Sequence, residues 1–475
     1  MRILPVLLLL VLLAGCISTS PASTVATKPE PTAADIGAPI EQNHDHTDPA
    51  LHKHILNLER VAVLNGHDGQ PAPNGEAYAE TAVKNGYAYL TRYGPESGIA
   101  IFDVHDLEHP KMVGSVRLDE GFEPDVEISD DGNWAFWETQ RFPVQPTVPD
   151  VLNPMSNAPH GVHIVDIKDK AHPKDVGFYP VTPDGPHSIT YANIGGRNIL
   201  FLSVYAFAYA YENVEVPNAQ RLEITELDTS GPVPMLKKLA EYRQPGATGG
   251  PGLFPHDVTI QKHPITGDYL AYVAYWDVGM VILNVNDPAQ PKLVSAFKDF
   301  GPAHYSQVHM ARSFPTLIDG KHVTVVEPEH DGGGGADTGY MSFVDTTDPA
   351  HPSLISSWLL PGNLTAAGLR FSPHYFDVDN GRVTLASYHA GVWIIDVHDH
   401  AHLLDPTTVG YAELTSTRKA AVPNPIFGNE ESAFDAWWAK DATNPGAYVI
   451  AGDSLEGLAI YRYTGPAPSV VTAAQ

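Results

Sequence analysis

The chain has 475 residues, 43% of them hydrophobic, with 40 glycines, 42 prolines and a formal net charge of −28. So large an acidic excess repels phosphate backbones and argues against nucleic acid as a partner; the Gly and Pro content favours many short strands joined by turns over long helices. The single cysteine, Cys16, excludes an intrachain disulfide and a cysteine-rich zinc site.

Arg2 precedes an apolar run, Leu4 to Leu13, interrupted only by Pro5. Its length is that of a signal-peptide core and too short for a comfortable membrane span. It ends in Leu-Ala-Gly-Cys16, which resembles the lipobox of prokaryotic lipoproteins. That resemblance implies cleavage before Cys16, lipidation of its thiol and anchoring to a membrane outside the cytoplasm. Residues 1–15 are therefore expected to be a signal peptide. Residues 16–53, with a Ser/Thr/Pro/Ala-rich stretch from Ser18 to Pro39, are expected to be a tether that cannot bury enough surface to fold. His44, His46, His52 and His54 read as a solvated polar segment or a loose metal-binding one.

From residue 54 to 466 the chain repeats. Gly98-Ile-Ala-Ile-Phe-Asp-Val-His-Asp, Gly161-Val-His-Ile-Val-Asp-Ile-Lys-Asp, Gly279-Met-Val-Ile-Leu-Asn-Val-Asn-Asp and Gly391-Val-Trp-Ile-Ile-Asp-Val-His-Asp are copies of one unit. A further copy starts at Gly339, and degenerate ones lie at 221–242 and 457–463. The apolar run reads as a strand buried on both faces. The Asp-Pro or His-Pro segment after it is a turn, in which Asp bonds the backbone ahead and Pro fixes φ. Upstream of each copy stands a Gly-containing hairpin turn: Asn85-Gly86, Asp131-Gly132, Gly195-Gly196, Thr266-Gly267, Asp319-Gly320, Asn380-Gly381 and Asn444-Pro445-Gly446. Such turns supply the positive φ that tight hairpins need. Seven units of four strands predict an all-β, seven-bladed propeller. The last unit stops one strand short at Tyr463, and Ile55 to Leu64 is expected to fill the gap and close the ring. Residues 467–475 are expected to be a disordered tail.

Ile-Phe-Asp-Val-His-Asp, Ile-Val-Asp-Ile and Ile-Ile-Asp-Val-His-Asp resemble the LVIVD repeat of bacterial and archaeal cell-surface proteins. The resemblance covers roughly residues 54 to 465 and implies a propeller outside the cytoplasm. It implies no activity, because fold does not fix function.

The first strand of a propeller blade lines the central channel. Pro186-His187, Pro255-His256 and Pro373-His374 open such strands, and Val308-His309 takes the same place in the fifth unit, in an uncertain register. Glu80 and Asp125 stand at the corresponding points of units one and two. Imidazoles gathered around one axis suit zinc, copper or iron. The Pro-His steps also bear a distant similarity to the axial histidines with which selenium-binding proteins, among them methanethiol oxidases, and carotenoid oxygenases hold a metal. The alternative is a structural role, with the imidazoles bonding neighbouring blades. His109, His172 and His351 read as structural turn residues, and His398, His400 and His402 as a denser cluster open to a peripheral metal. Glu327, Glu329, His330 and Asp331, followed by four glycines, suggest a loop able to wrap calcium or to cover a channel mouth.

The expected function is that of a surface-tethered binding module, recognising a protein or small molecule as a monomer. The alternative is a metal-dependent, oxidoreductase-like enzyme with His187, His256, His309 and His374 as ligands.

Overall fold

The computed structural model describes residues 55–67, 77–93, 97–118, 125–140, 159–205, 220–246, 252–300, 307–329, 340–360, 372–412, 433–440 and 446–466. Cys16, the tether, His330, Asp331, the glycine run and the C-terminal tail lie outside the described residues.

Seven antiparallel sheets follow one another along the chain. Blade one comprises Ala77–Lys84, Tyr87–Tyr93, Gly98–Asp103 and Lys111–Arg117. The innermost strands of blades two to seven are Val126–Ile128, Pro186–Ile194, Pro255–Lys262, Val308–Ser313, His374–Asp379 and Ala433–Trp438. Each innermost strand touches the innermost strands of both neighbours, and the last touches the first. This is a closed seven-bladed propeller. Between every two blades lies one apolar cluster, as where Tyr89, Ile99 and Ile101 of blade one meet Val126, Trp137 and Val165 of blade two. Seven such seams form the core, and no blade buries its own faces alone.

Turn chemistry explains the repeat. In five blades an aspartate ends the third strand and accepts from the backbone N–H two residues on, as Asp103 from His105 at 3.1 Å, Asp166 from Lys168 at 3.0 Å and Asp345 from Thr347 at 3.0 Å. The hairpin turns hold positive φ, as at Asn85 (53°) and Gly86 (76°) or Asn380 (45°) and Gly381 (73°). The glycine that opens the third strand has a second reason. At Gly98, with φ of 142°, an added Cβ would stand 2.0 Å from the carbonyl oxygen of Val116 on the fourth strand. Gly98→Ala is therefore expected to cost about 3 kcal/mol or more, from strain and collision together. Gly267→Ala, at φ of 77° with nothing near the new carbon, is expected to cost about 1 kcal/mol. Urea unfolding of the two variants checks the difference; equal costs would discount the collision.

The ring closes as expected, with one refinement. Leu58–Leu64 pairs with Gly457–Tyr463 as the fourth strand of blade seven, but Ile55–Leu56 pairs with Tyr411 and Ala412 of blade six. Asn57, at φ of 52°, makes the step between blades, and its side-chain amide donates to the Val409 carbonyl at 2.7 Å.

Candidate metal centre at one channel mouth

The innermost strands share a device that alternation of residues does not reveal. In blades three, four and five the pairing with the second strand slips by one residue, between Pro186 and Ser188, Pro255 and Asp257, and Val308 and Met310. The residue in the bulge is His187, His256 or His309. A bulge breaks the two-residue alternation and re-aims a side chain. In blade four it lets His256 reach the mouth while the next residue, Asp257, also lines the channel. In blade six the bulge falls on Tyr375, which has φ of 42°. His374 thus sits one position earlier than the other three, so its Pro-His step is out of register with theirs.

All four rings nonetheless meet. Their centroids are 4.3 Å apart for His187 and His256, 4.4 Å for His256 and His309, and 4.6 Å for His309 and His374. Glu329, just beyond the second strand of blade five, joins them. Its Oε2 is 3.8 Å from His256 Nε2 and 4.0 Å from His309 Nε2, and its other oxygen accepts from the Tyr388 hydroxyl. His256, His309 and Glu329 each bring one ligand atom within 4.8 Å of the others.

The partners of these rings fix which nitrogens face inward. Gln140 Oε1 is 2.8 Å from His187 Nδ1, and Glu327 Oε1 is 2.5 Å from His309 Nδ1. With Nδ1–H donating outward, each ring turns Nε2 toward the cluster, as metal-bound histidines do. His187 Nε2 lies 2.9 Å from His256 Nε2. Tetrahedral zinc ligands stand about 3.4 Å apart, given bonds of about 2.0–2.1 Å, so small shifts suffice to admit an ion. His309 is fully buried, yet its Nε2 has no hydrogen-bond partner among the described residues.

The electrostatics divide the arc. Burial, helped by the charge of His309, pushes His187 down to about 3. Burial and the neighbouring imidazoles hold His256 well below the usual range. Burial opposes protonation of His309 too, but the Glu327 carboxylate and then Glu329 overcome it and raise the ring to about 9. The pocket around His309 is thus built to hold one positive charge, whether a proton or a metal ion supplies it.

One rung deeper the channel turns acidic. Asp257 and Asp435 stand directly after the bulge residue of their strands, and Asp125 directly precedes the innermost strand of blade two. Glu80 joins them, and Asp125, Asp257 and Glu80 line a cavity of about 650 Å³ with Glu127, Arg312 and Trp437. Among the described residues the cavity's cations are already paired: Lys84 with Asp130 at 2.7 Å, and Arg312 and Lys440 with Asp377 at 3.0 and 2.8 Å. Among the described residues Glu80, Asp125, Glu127 and Asp257 make no ion pair. Burial therefore dominates them, pushing Asp125 to about 6 and, with the charge of Asp125, Asp257 to about 7 and Glu80 well above the carboxylate range.

A family model of the LVIVD repeat matches residues 264–299, which span the second to fourth strands of blade four. The chain is a β-propeller that carries an LVIVD repeat. No curated protein matches it. Among solved structures, this LVIVD-repeat propeller is similar to the β-propeller domain of Cps50 (Swd1) from Myceliophteria thermophila, with 10% identity over 83% of this chain and 99% of that one and a TM-score of 0.48. It is also similar to a putative 6-phosphogluconolactonase from Bacteroides fragilis, with 13% identity over 81% of this chain and 89% of that one and a TM-score of 0.48.

In the LVIVD-repeat propeller, then, the four histidines and Glu329 come together, while Glu80 and Asp125 stand below them in the channel. Glu327 and Glu329 stand at the histidine cluster, while the rest of that segment lies outside the described residues. His109, His172 and His351 stay in exposed turns, each on the carboxylate three residues back. Gln140 and Tyr388 carry no sequence signal; only the folded blades bring them to the arc.

Proposed function

We propose that this LVIVD-repeat propeller is an exported, lipid-anchored protein whose activity centres on a transition-metal ion at one channel mouth. His256, His309 and Glu329 are the ligands the geometry favours, with His187 and His374 beside them. Imidazole with carboxylate suits zinc, copper or iron, and an incomplete protein ligand set leaves positions for a substrate. The reaction class this supports is metal-dependent, oxidoreductase-like chemistry. The observation that carries the reading is His309: a fully buried ring oriented by Glu327, with an unpartnered Nε2 facing a second carboxylate. Leaving such an atom unsatisfied costs about 1–3 kcal/mol, and a metal bond removes that cost. The apolar Leu4–Leu13 run ending at Cys16 supports export and anchoring.

Elemental analysis of the full-length chain, purified without a histidine tag, tests the proposal. Near-stoichiometric transition metal is expected. A stable chain that is metal-free and takes up none on dialysis would sink it. That outcome would leave a second reading, binding without turnover, which the 650 Å³ cavity favours: its carboxylates without cation partners suit a positively charged ligand.

A further inference from the structure

The turn after the third strand is a shared device, and blade six departs from it. In blades one, two and five the carboxylates of Asp106, Asp169 and Asp348 contact Nδ1 of the histidine three residues on, at 3.1, 2.9 and 2.8 Å. Each of those histidines precedes a proline and is 77%, 77% or 83% exposed. Blade one adds His105, whose Nδ1 is 2.7 Å from Asp103. Its Asp103, His105, Asp106 and His109 have the same spacing as Asp396, His398, Asp399 and His402 of blade six.

Three positions from Asp396 to Leu403 differ from their blade-one counterparts, and one of them changes the backbone. Where blade one has Pro110, blade six has Leu403, whose backbone N–H donates to the Asp399 carbonyl at 2.7 Å. Proline has no such donor. The bond starts a helical turn, His400–Leu404, capped by the Asp399 side chain. That turn carries His402 over His398, with ring centroids 4.5 Å apart. His398 packs on the hairpin turn beneath it: a Cβ on Gly381 would stand 2.4 Å from His398 Cα. In blade one His105 likewise packs on its hairpin turn, where a Cβ on Gly86 would stand 2.3 Å from its Nε2, and its ring stands edge-on to Tyr87.

Carboxylates orient both rings. Asp396 is 2.7 Å from His398 Nδ1, and Asp399 is 2.7 Å from His402 Nδ1. Asp399 also reaches His398 Nε2 at 3.3 Å. Asp396, His398 and His402 each place one ligand atom within 4.8 Å of the others. We propose that Asp396, His398 and His402 form a second metal site, for a zinc-class divalent ion, with Asp399 as the carboxylate that positions the rings. His400 is not among the side chains whose ligand atoms converge; its Nδ1 is 2.7 Å from Asp319 of the blade-five turn. The site lies at the far end of the blade from the four-histidine mouth, since the strand that starts at His374 ends at the Asn380-Gly381 turn. Two histidines and a carboxylate on a surface turn suit borderline metals. The same turn reaches blade five twice, through His400 and through Ser356 Oγ, which donates to the Leu403 carbonyl at 2.6 Å. A bound ion would therefore clip the seam between two blades. The proposal does not depend on a metal at the channel mouth.

Zinc titration by calorimetry, with melting followed in parallel, tests it. The full-length chain carrying His256→Ala serves as background, so that the channel mouth contributes nothing. Zinc uptake and a zinc-dependent rise in melting temperature are expected there. Adding His402→Ala should weaken uptake about a hundredfold and remove the rise, whereas adding His109→Ala should change neither. His109 is exposed and His402 half-buried on a surface turn, so melting of each metal-free variant is measured first to show that it folds. Unchanged uptake in the His402→Ala chain, equal loss in the His109→Ala chain, or no uptake at micromolar zinc in the background would each overturn the proposal. Failure of the channel-mouth reading shows separately, as equal zinc content of wild type and background.

Discussion

His256→Ala is expected to abolish stoichiometric metal at the channel mouth while leaving the metal-free protein folded, and His309→Ala to abolish the metal and destabilise the fold as well. The two rings differ in what they leave behind. His256 Nδ1 has no partner, and its Nε2 faces only His187 and, at 3.8 Å, Glu329. Its loss strands no charge. His309 is the counter-ion of Glu327, and both side chains are fully buried. Removing one member of a buried pair costs about 3–5 kcal/mol, because the other stays charged and uncompensated. Glu327→Gln should be milder, keeping an acceptor for His309 Nδ1 but weakening the ring as a donor to metal, with affinity falling about 10–100-fold. Metal content by elemental analysis and unfolding by urea, measured on the same three variants, check this. Wild-type metal content in His256→Ala would place the ion elsewhere.

Much of the architecture is legible in the sequence because its determinants are local. Asn-Gly and Asp-Gly turns, the Asp that bonds two residues ahead and the apolar third strand each act over a few residues, so seven copies can be counted without a structure. The closing strand was legible by subtraction, as the partner that Gly457–Tyr463 lacked. The split at Asn57 was not, since it depends on the Val409 carbonyl of another blade. The candidate mouth was legible only in part. The Pro-His steps marked rings that do meet, but the bulges that aim three of the four are one-residue offsets in pairing, and pairing is not written in one strand. That offset is also why His374 matched His187 and His256 in sequence yet sits one position early. Glu329 was visible in a carboxylate-rich segment that looked like a calcium loop. What gives it another role is the neighbouring blade, which supplies Tyr388, and the adjacent strand, which supplies His309. Blade six keeps the Asp and His spacing of blade one, and Leu403 in place of a proline was easy to pass over.

Deleting residues 55–64 is expected to abolish cooperative unfolding of the whole ring. The strand Leu58–Leu64 is in register with Gly457–Tyr463 from Leu58 opposite Tyr463 to Leu64 opposite Leu458. It also seals two seams. Leu58 is buried in the cluster between blades six and seven, and Val61, Ala62 and Leu64 pack against the one between blades seven and one. Burying each large aliphatic side chain contributes about 1.5–3 kcal/mol, and each lost ladder bond about 1 kcal/mol. Those losses together rival the whole stability of a typical fold, about 5–15 kcal/mol. They also leave blade seven a three-stranded sheet, whose exposed edge on Gly457–Tyr463 invites pairing with other chains. Thermal unfolding followed by circular dichroism, together with sedimentation to detect association, should show a broad transition and aggregation for the truncated chain. If it instead melts sharply and within a few degrees of the full-length protein, ring closure by this strand contributes little, and the seams between the remaining blades must suffice.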